Sequence, residues 1–191
     1  MDKKKWTAEE VLEKLKAGNA QYMEASQNPG DISPAVRLKT ATKGQHPYAI
    51  VITCSDSRVI PESIFTAGIG ELFVIRLAGN VIDRHQLGSI EYAESHLHCP
   101  LLLIMGHTHC GAVGSVIAKN RSAEGFIRYI LDDIQEAIGD EQDDHKACIL
   151  NVKHSINRVE ESLEIQKDKA QLGLRVVGAV YDIETGKVEF I

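Results

Sequence analysis

The segment from Leu103 to Gly114 reads L-I-M-G-H-T-H-C-G-A-V-G and carries two histidines and a cysteine within four residues. Imidazole nitrogens and thiolate sulfurs are the ligands that zinc prefers in proteins. A second group of reactive side chains, T-C-S-D-S-R-V, places Cys54, Asp56 and Arg58 about fifty positions earlier. The two segments together contain the donors of a metal site, provided that the fold brings them to one place.

The two segments each follow a short apolar run. Four such runs predict β-strands: Tyr48–Thr53, Leu72–Ile75, Leu101–Met105 and Leu174–Val180. The runs are continuous rather than alternating, which is typical of strands covered on both faces and hence of a parallel sheet. Helical patterns lie between them: Pro61–Ala67, Leu87–Leu97, Gly111–Lys119 and a long region over Ala123–Leu172. A turn signal within Tyr181–Phe190 predicts an antiparallel hairpin strand at the edge. The predicted fold is α/β, with about four parallel strands, one antiparallel edge strand and flanking helices.

The carboxyl ends of parallel strands are where such sheets bind ligands. If the two preceding strands are neighbours, Cys54, His107 and Cys110 converge there, with His107 favoured over His109 by its H-x-x-C spacing. Two thiolates and one imidazole leave one position of a tetrahedral zinc ion for water, which is the composition of a catalytic site. From the residues alone, the alternative that Cys54 is an ordinary buried thiol stays open.

The amino-terminal part of the chain predicts an arm outside the sheet. An amphipathic helix over Thr7–Met23 begins with a capping box, and a loop with the breakers Asn28-Pro29-Gly30 and Ser33-Pro34 follows it. The apolar stripe of the helix needs a surface, on its own core or on another subunit. We expect a single domain in which residues 1–45 form a helical arm and loop and residues 46–191 the α/β core.

The composition narrows the class of protein. A chain of 191 residues with a formal net charge of -6 lacks the basic face of a nucleic-acid binder. No apolar segment approaches the length of a membrane span, and no apolar signal-peptide region stands at the amino terminus. Four cysteines spread along the chain fit metal ligands and buried thiols in a reducing compartment better than disulfides. We therefore expect a cytoplasmic protein with no nucleic-acid or membrane partner.

The motifs resemble those of the β-class carbonic anhydrases over most of the chain. The matching segments are K-G-Q-x-P, C-S-D-S-R-V-x-P-E, E-L-F-V-x-R, A-G-N, G-S-I-E-Y, G-H-x-x-C-G and Y-D-I-E-T-G-K-V. The chain departs from the commonest pattern at Leu77, where the family usually has asparagine, and at His109, where smaller or polar residues are commoner. Neither departure touches a metal ligand that the resemblance implies.

The resemblance implies a role for each matching position. Cys54, His107 and Cys110 stand where the family has its ligands to one Zn²⁺ per subunit, and Asp56 and Arg58 match its catalytic pair. The substrate-binding positions are Gln45, Phe73, Ala78, Tyr92 and the backbone N–H of Gly111. The family builds each pocket at a subunit interface, with the glutamine and the aromatic residues from the neighbouring subunit. This implies a homodimer or a dimer of dimers, with the amino-terminal arm lying across the partner.

The implied activity is the reversible hydration of carbon dioxide to bicarbonate and a proton by zinc-bound hydroxide, oriented by the Asp56–Arg58 pair. Arg58 would hold the carboxylate away from the metal in an open state, and a closed state would place Asp56 on zinc. Three alternatives remain at this point. They are a hydrolase of carbonyl sulfide or carbon disulfide on the same scaffold, a non-catalytic zinc-binding protein and a thiol redox protein.

Overall fold

A computed structural model describes residues 5–25, 30–119 and 125–191. Within these ranges, five strands form one sheet: β1 Ala49–Thr53, β2 Leu72–Arg76, β3 Leu101–His107, β4 Arg175–Tyr181 and β5 Val188–Phe190. The same described residues contain eight helices: α1 Ala8–Glu24, α2 Pro34–Lys43, α3 Pro61–Ile64, α4 Arg84–Leu97, α5 Gly111–Ile117, α6 Ile127–Ile138, α7 Asp144–Glu160 and α8 Leu163–Leu172. A short 3₁₀ segment, called here the 78–80 turn, spans Ala78–Asn80.

The sheet has the order β2-β1-β3-β4-β5. The first four strands run parallel, and β5 pairs antiparallel with β4 at the edge. The predicted fold class is therefore confirmed. The predicted strand ends differ from the observed ones by one or two residues, and the largest difference is at β3. That strand continues beyond the predicted Met105 to His107, which is its last residue.

Both faces of the central strands are covered, which explains their continuous apolar sequence. Ile50, Ile52 and Ile104 face a core that α4 to α8 cover, whereas Val51 and Leu103 face a second core on the side of α1 and α3. All five side chains are fully buried. A strand buried on both faces cannot alternate polar with apolar residues, so its polar side chains are confined to its ends.

The segment after Ser33 was predicted as loop, and that prediction is wrong. Ser33 is the N-cap of α2, its hydroxyl accepting the N–H of Val36, and Pro34 is the first helical residue. Proline suits this position because the first N–H groups of a helix have no intrahelical partner. None of the residues of α2 is buried, and Leu38 is 68% exposed, so no apolar stripe in the sequence marks this helix.

Helix α1 begins with the predicted capping box between Thr7 and Glu10. The first part of its apolar stripe, with Val11 and Leu15, is fully buried in the chain's own second core, whereas Met23 near the end of the helix is 46% exposed. At Gly18 an added Cβ would lie 2.1 Å from the carbonyl oxygen of Phe65, so the helix packs directly on backbone. The chain's own core therefore covers most of this stripe without a partner. The arm's placement across a partner and the division at residue 45 stay predictions.

Part of the predicted loop, Asn28-Pro29, and the first two residues of the predicted helical region, Ala123 and Glu124, lie outside the described residues. The described part of that region contains three helices, α6 to α8. Within the described ranges, no helix combines the length and apolar character that crossing a bilayer requires.

The buried carboxyl of Glu94 on α4 generates a prediction about pH. Its Oε1 atom has no hydrogen-bond partner among the described residues, and burial, with Asp168 nearby, raises the pKa of Glu94 from 4.5 to about 8. The folded state therefore binds this proton more tightly than the unfolded state. The stability that the proton contributes is fully present below about pH 4.5 and is lost as the pH rises towards about 8.

We expect Glu94→Gln to become progressively more stable than the wild type between about pH 6 and pH 8, by at most about 1.4 kcal/mol per pH unit. Urea unfolding of both proteins across this range measures the difference. The exposed Glu164→Gln on α8 is the control and should follow the wild type. A Glu94→Gln difference that does not change with pH would contradict the prediction.

Candidate metal centre

The carboxyl ends of β1 and β3 meet in the middle of the sheet, because the two strands pair in register from Ile50 with Leu102 to Thr53 with Met105. Cys54 follows β1 directly, His107 ends β3, and Cys110 is the N-cap of α5. The donor atoms of these three residues lie within 4.8 Å of one another, and all three residues are buried. The structure thus brings together the three donors predicted from the sequence.

The orientation of His107 fixes which nitrogen faces the cluster. Its Nδ1 lies 2.9 Å from the carbonyl oxygen of Thr108. A carbonyl oxygen only accepts, so Nδ1 carries the hydrogen and Nε2 keeps a free lone pair. Nε2 is buried and has no hydrogen-bond partner among the described residues. A buried, unpartnered lone pair beside two sulfurs fits a metal ligand, because burying it without a partner is costly.

The two sulfurs lie 4.0 Å apart, and their cysteines are free. A hydrogen bond from the Cys110 thiol holds the pKa of Cys54 well below its usual value. The same bond, together with burial, raises the pKa of Cys110. The pair therefore shares one proton, and a bound cation would take the place of that proton. Sulfur with imidazole is a soft donor set that fits Zn²⁺ and not Mg²⁺ or Ca²⁺.

Backbone N–H groups stabilise the negative charge on Cys54. The N–H of Asp56 lies 3.4 Å from its sulfur, and the N–H of Gly79 lies 3.3 Å from the same atom. Both hydrogen bonds also lower the pKa of the Cys54 thiol. Because the sulfur is buried, these bonds replace the water that would otherwise solvate a thiolate.

Asp56 lies beside the cluster and is held by Arg58 through two parallel hydrogen bonds. Arg58 Nε donates to Asp56 Oδ1 at 2.9 Å, and Nη2 donates to Oδ2 at 2.7 Å. The Arg58 side chain keeps the pKa of Asp56 well below its usual range, so the carboxylate is ionised. Its Oδ2 lies 4.0 Å from His107 Nε2. This arrangement is the one expected of the open state, with the carboxylate on arginine.

Arg58 and Arg76 also connect the segments that carry the donors. Arg58 Nη2 donates to the carbonyl oxygen of His109 at 3.1 Å. Arg76, at the end of β2, donates to the carbonyl oxygens of Cys54 and Asp56 at 3.1 and 2.6 Å. No role for Arg76 was predicted from the sequence. Its contacts depend on the register of β2, in which Arg76 pairs with Thr53, the residue before Cys54, and the sequence alone does not give this register.

His109 is turned away from the donors. Its imidazole Nε2 lies 3.4 Å from a carboxylate oxygen of Glu184, and the side chain is 57% exposed. Its backbone has φ 56°, and its N–H donates to Asp144. The structure therefore brings His107, and not His109, into the cluster.

The predicted substrate-binding residues divide into two groups. Ala78, in the 78–80 turn, and Gly111, at the start of α5, lie next to the cluster. The other three residues lie towards the amino ends of the parallel strands, away from the cluster: Gln45, Phe73 and Tyr92. Gln45 precedes β1, which at about 3.3 Å per residue is roughly 17 Å long. The cluster follows the other end of that strand.

The distant group forms one surface of its own. Phe73 pairs in register with Ile50 near the amino end of β1, and its ring lies 6.2 Å from that of Tyr92. Tyr92 stacks on His96 at 4.6 Å, and His96 lines the same groove as Gln45. The residues that line this groove include none of the three donors.

Comparison with known proteins shows which family has this arrangement. The sequence profile of the family described as carbonic anhydrase matches residues 49–188. The chain is 34% identical to a carbonic anhydrase of Mycolicibacterium smegmatis over 92% of this chain and 89% of that protein. It is 31% identical to carbonic anhydrase 2 of Mycobacterium tuberculosis over 91% and 87%.

Solved structures agree with the sequence relatives. A tetrameric β-carbonic anhydrase of Sordaria macrospora superposes with a TM-score of 0.73 at 27% identity, over 83% of this chain and 87% of that one. The Coccomyxa β-carbonic anhydrase in complex with acetazolamide gives 0.72 at 25% identity, over 96% and 82%. With the buried Cys-His-Cys cluster able to hold a metal ion, these matches show that the chain belongs to the β-class carbonic anhydrases, the zinc enzymes that hydrate carbon dioxide reversibly.

Proposed function

We propose that this chain hydrates carbon dioxide at a zinc site held by Cys54, His107 and Cys110, with Asp56 and Arg58 as the catalytic pair. The observation that carries the proposal is the buried cluster of three donors beside an ionised, arginine-bound carboxylate. Zinc bound there supplies Lewis acidity that makes water nucleophilic near neutral pH. Two thiolates lower that acidity relative to neutral ligands, so an alkaline activity optimum is expected.

Asp56 orients the reacting water. Its Oδ1 accepts the backbone N–H and the Nε of Arg58, whereas Oδ2 accepts one Arg58 bond and is the atom nearer to His107. Oδ2 can therefore accept a hydrogen bond from the reacting water and direct its lone pair at carbon dioxide. The low pKa of Asp56, caused by Arg58, keeps this oxygen an acceptor throughout the working pH range.

The rest of the pocket is proposed to come from a second copy of the chain, in a homodimer or a dimer of dimers. The support is that three residues lie on one surface towards the amino ends of the strands, away from the cluster. They are Gln45 and Tyr92, which are exposed, and Phe73, which is half-buried. A partner that places this surface over the cluster would supply an apolar wall for carbon dioxide and an amide for bicarbonate. Ala78 and the N–H of Gly111 would complete the pocket from the metal side.

We also propose the cytoplasm as the location. The four free cysteines, Cys54, Cys99, Cys110 and Cys148, support a reducing compartment. Cys54 and Cys110 are 4.0 Å apart at sulfur, well beyond the roughly 2.05 Å of a disulfide bond. No disulfide joins the two sulfurs, and they lie close enough for both to bind one metal ion.

The ligand set is tested by Cys54→Ser, which replaces a soft thiolate by a hydroxyl that zinc binds poorly. We expect the purified variant to carry almost no zinc and to be inactive, as measured by metal analysis and carbon dioxide hydration. Cys99→Ser, a buried cysteine at the other edge of the sheet, is the matched control and should keep both. Full zinc content in Cys54→Ser would refute the ligand assignment.

The catalytic pair is tested by Asp56→Asn, which keeps the shape of the side chain but not its charge. We expect zinc content to be unchanged and kcat/KM for hydration to fall on the order of 100-fold, the usual cost of losing a proton acceptor. Stopped-flow indicator assays at neutral and alkaline pH measure it. Unchanged turnover would leave Asp56 with a structural role only.

The same assays test the reaction itself. Zinc-loaded wild-type protein that is inactive at both pH values would identify a non-catalytic zinc protein. Sulfide release from carbonyl sulfide or carbon disulfide that greatly exceeds hydration would identify a hydrolase of those substrates.

The shared pocket predicts complementation between two defective variants. Cys54→Ser loses the zinc site, which is one half of the pocket. Gln45→Ala loses the amide for bicarbonate in the other half, which the second copy would supply. In a mixed dimer, one of the two sites receives both intact halves. Random co-expression should therefore restore about a quarter of the wild-type activity, because about half of the dimers are mixed and each has one complete site.

Hydration by the co-expressed mixture, normalised to total protein, checks this result. The two homodimers mixed after folding, without subunit exchange, are the control. Activity of the co-expressed sample that equals only the sum of the two variants would place both halves of the site in one chain.

A further inference from the structure

One face of α7 carries three buried polar side chains that the mechanism above does not use. Cys148, Asn151 and Ser155 are each at most 2% exposed, and their spacing of three and four residues places them in one row on the helix. Buried polar groups are costly unless they are hydrogen-bonded, and apolar residues would fill the same face at lower cost. We therefore expect these three side chains to have a role that apolar side chains could not perform.

The row faces the 78–80 turn, which has an unusual backbone. Gly79 has φ 66° and Asn80 has φ 45°, so two successive residues lie in the left-handed region. The positive φ of Gly79 disfavours any larger residue there, and an added Cβ would lie 3.3 Å from the Cβ of Ala112. In this conformation the N–H of Gly79 points at the sulfur of Cys54, 3.3 Å away.

The α7 side chains hold this turn through its carbonyl oxygens. The amide of Asn151 donates to the carbonyl oxygen of Gly79 at 2.7 Å, and the hydroxyl of Ser155 donates to that of Asn80 at 3.0 Å. The side-chain amide of Asn80 donates to the Ser155 hydroxyl in return, at 3.4 Å. Both carbonyls of the left-handed residues are thus fixed by one rigid helix.

The same helix also contacts the backbone of a second donor. The thiol of Cys148 donates to the carbonyl oxygen of His107 at 2.9 Å. One helix face therefore reaches the backbone on both sides of the cluster, without any of its side chains contacting a donor atom of His107 or Cys54 directly among the bonds described.

We propose that Asn151 and Ser155 are positioning residues of the metal site, which hold the 78–80 turn so that the Gly79 N–H stays on the sulfur of Cys54. The inference rests on the proposed ligand set. Through this hydrogen bond, α7 sets how tightly zinc is held and how much charge the Cys54 thiolate donates to it. Outer groups that orient ligands in this way typically change metal affinity 10- to 100-fold when they are removed.

The test replaces Asn151 by leucine, which has a similar size and no N–H donor. We expect the zinc dissociation constant of Asn151→Leu, measured by competition with a chromogenic chelator, to rise about 10- to 100-fold. In the Co²⁺-substituted protein, the sulfur-to-metal absorption band should move to longer wavelength, because a thiolate that has lost a hydrogen bond gives up an electron more easily. Ser155→Ala should shift both quantities in the same direction by less.

Val159→Ala is the matched control, since Val159 is a fully buried residue of the same helix whose side chain can make no hydrogen bond. It should lower the melting temperature but leave the zinc dissociation constant and the cobalt band unchanged. If Asn151→Leu does not fold, Ser155→Ala against Val159→Ala decides the question. Zinc affinity and band position in the α7 variants that match those of Val159→Ala would overturn the proposal.

Both readouts are independent of hydration. A protein that binds zinc but does not hydrate carbon dioxide would refute the proposed reaction and leave this proposal to be judged by its own measurements. An active wild type in which the α7 variants bind zinc normally would refute this proposal alone.

Discussion

The parallel pairing of β1 with β3 determines where the donors of the metal site lie. Because the two strands run in the same direction and in register, Cys54 and His107 leave the sheet at the same edge. An antiparallel pairing would have separated them by the length of a strand. The chain then needs only a tight turn after His107 to bring Cys110 to the N-cap of α5. The direction of the two strands therefore determines that the three donors meet.

Burial of the donors is a second constraint, and it explains the hydrogen bonds around them. A thiolate and an unpartnered imidazole nitrogen are costly inside a protein unless positive charge or N–H groups compensate them. The N–H groups of Asp56 and Gly79 do so in part for Cys54, and a divalent cation would do the rest. Two thiolates would balance the charge of a bound Zn²⁺ while its fourth ligand is neutral water. Arg58 would then not be needed to neutralise the thiolates, and it binds Asp56 instead.

The fold class and most of the metal site could be predicted from apolar runs, strand-end side chains and local motifs. Continuous apolar runs predicted the parallel sheet, and the strand-end rule with the motifs predicted the cluster and the Asp56–Arg58 contact. Helix α2 was missed because Ser33-Pro34 suits a loop and a helix start equally and no buried stripe follows. Arg76 and Asn151 were missed because their roles depend on register and helix packing, which join residues far apart in sequence. No local pattern encodes such contacts.

In the proposed assembly, the distant group would act on the site of a second chain. Tyr92 is 48% exposed, Phe73 is half-buried and Gln45 is exposed, so one chain leaves an aromatic surface in water. Covering it would remove apolar area from solvent, and in the proposed dimer a second copy that does so would also bring these residues towards the cluster. Association and pocket formation would then be the same event. A subunit that loses its partner would keep its zinc ligands and lose the dry pocket that carbon dioxide needs.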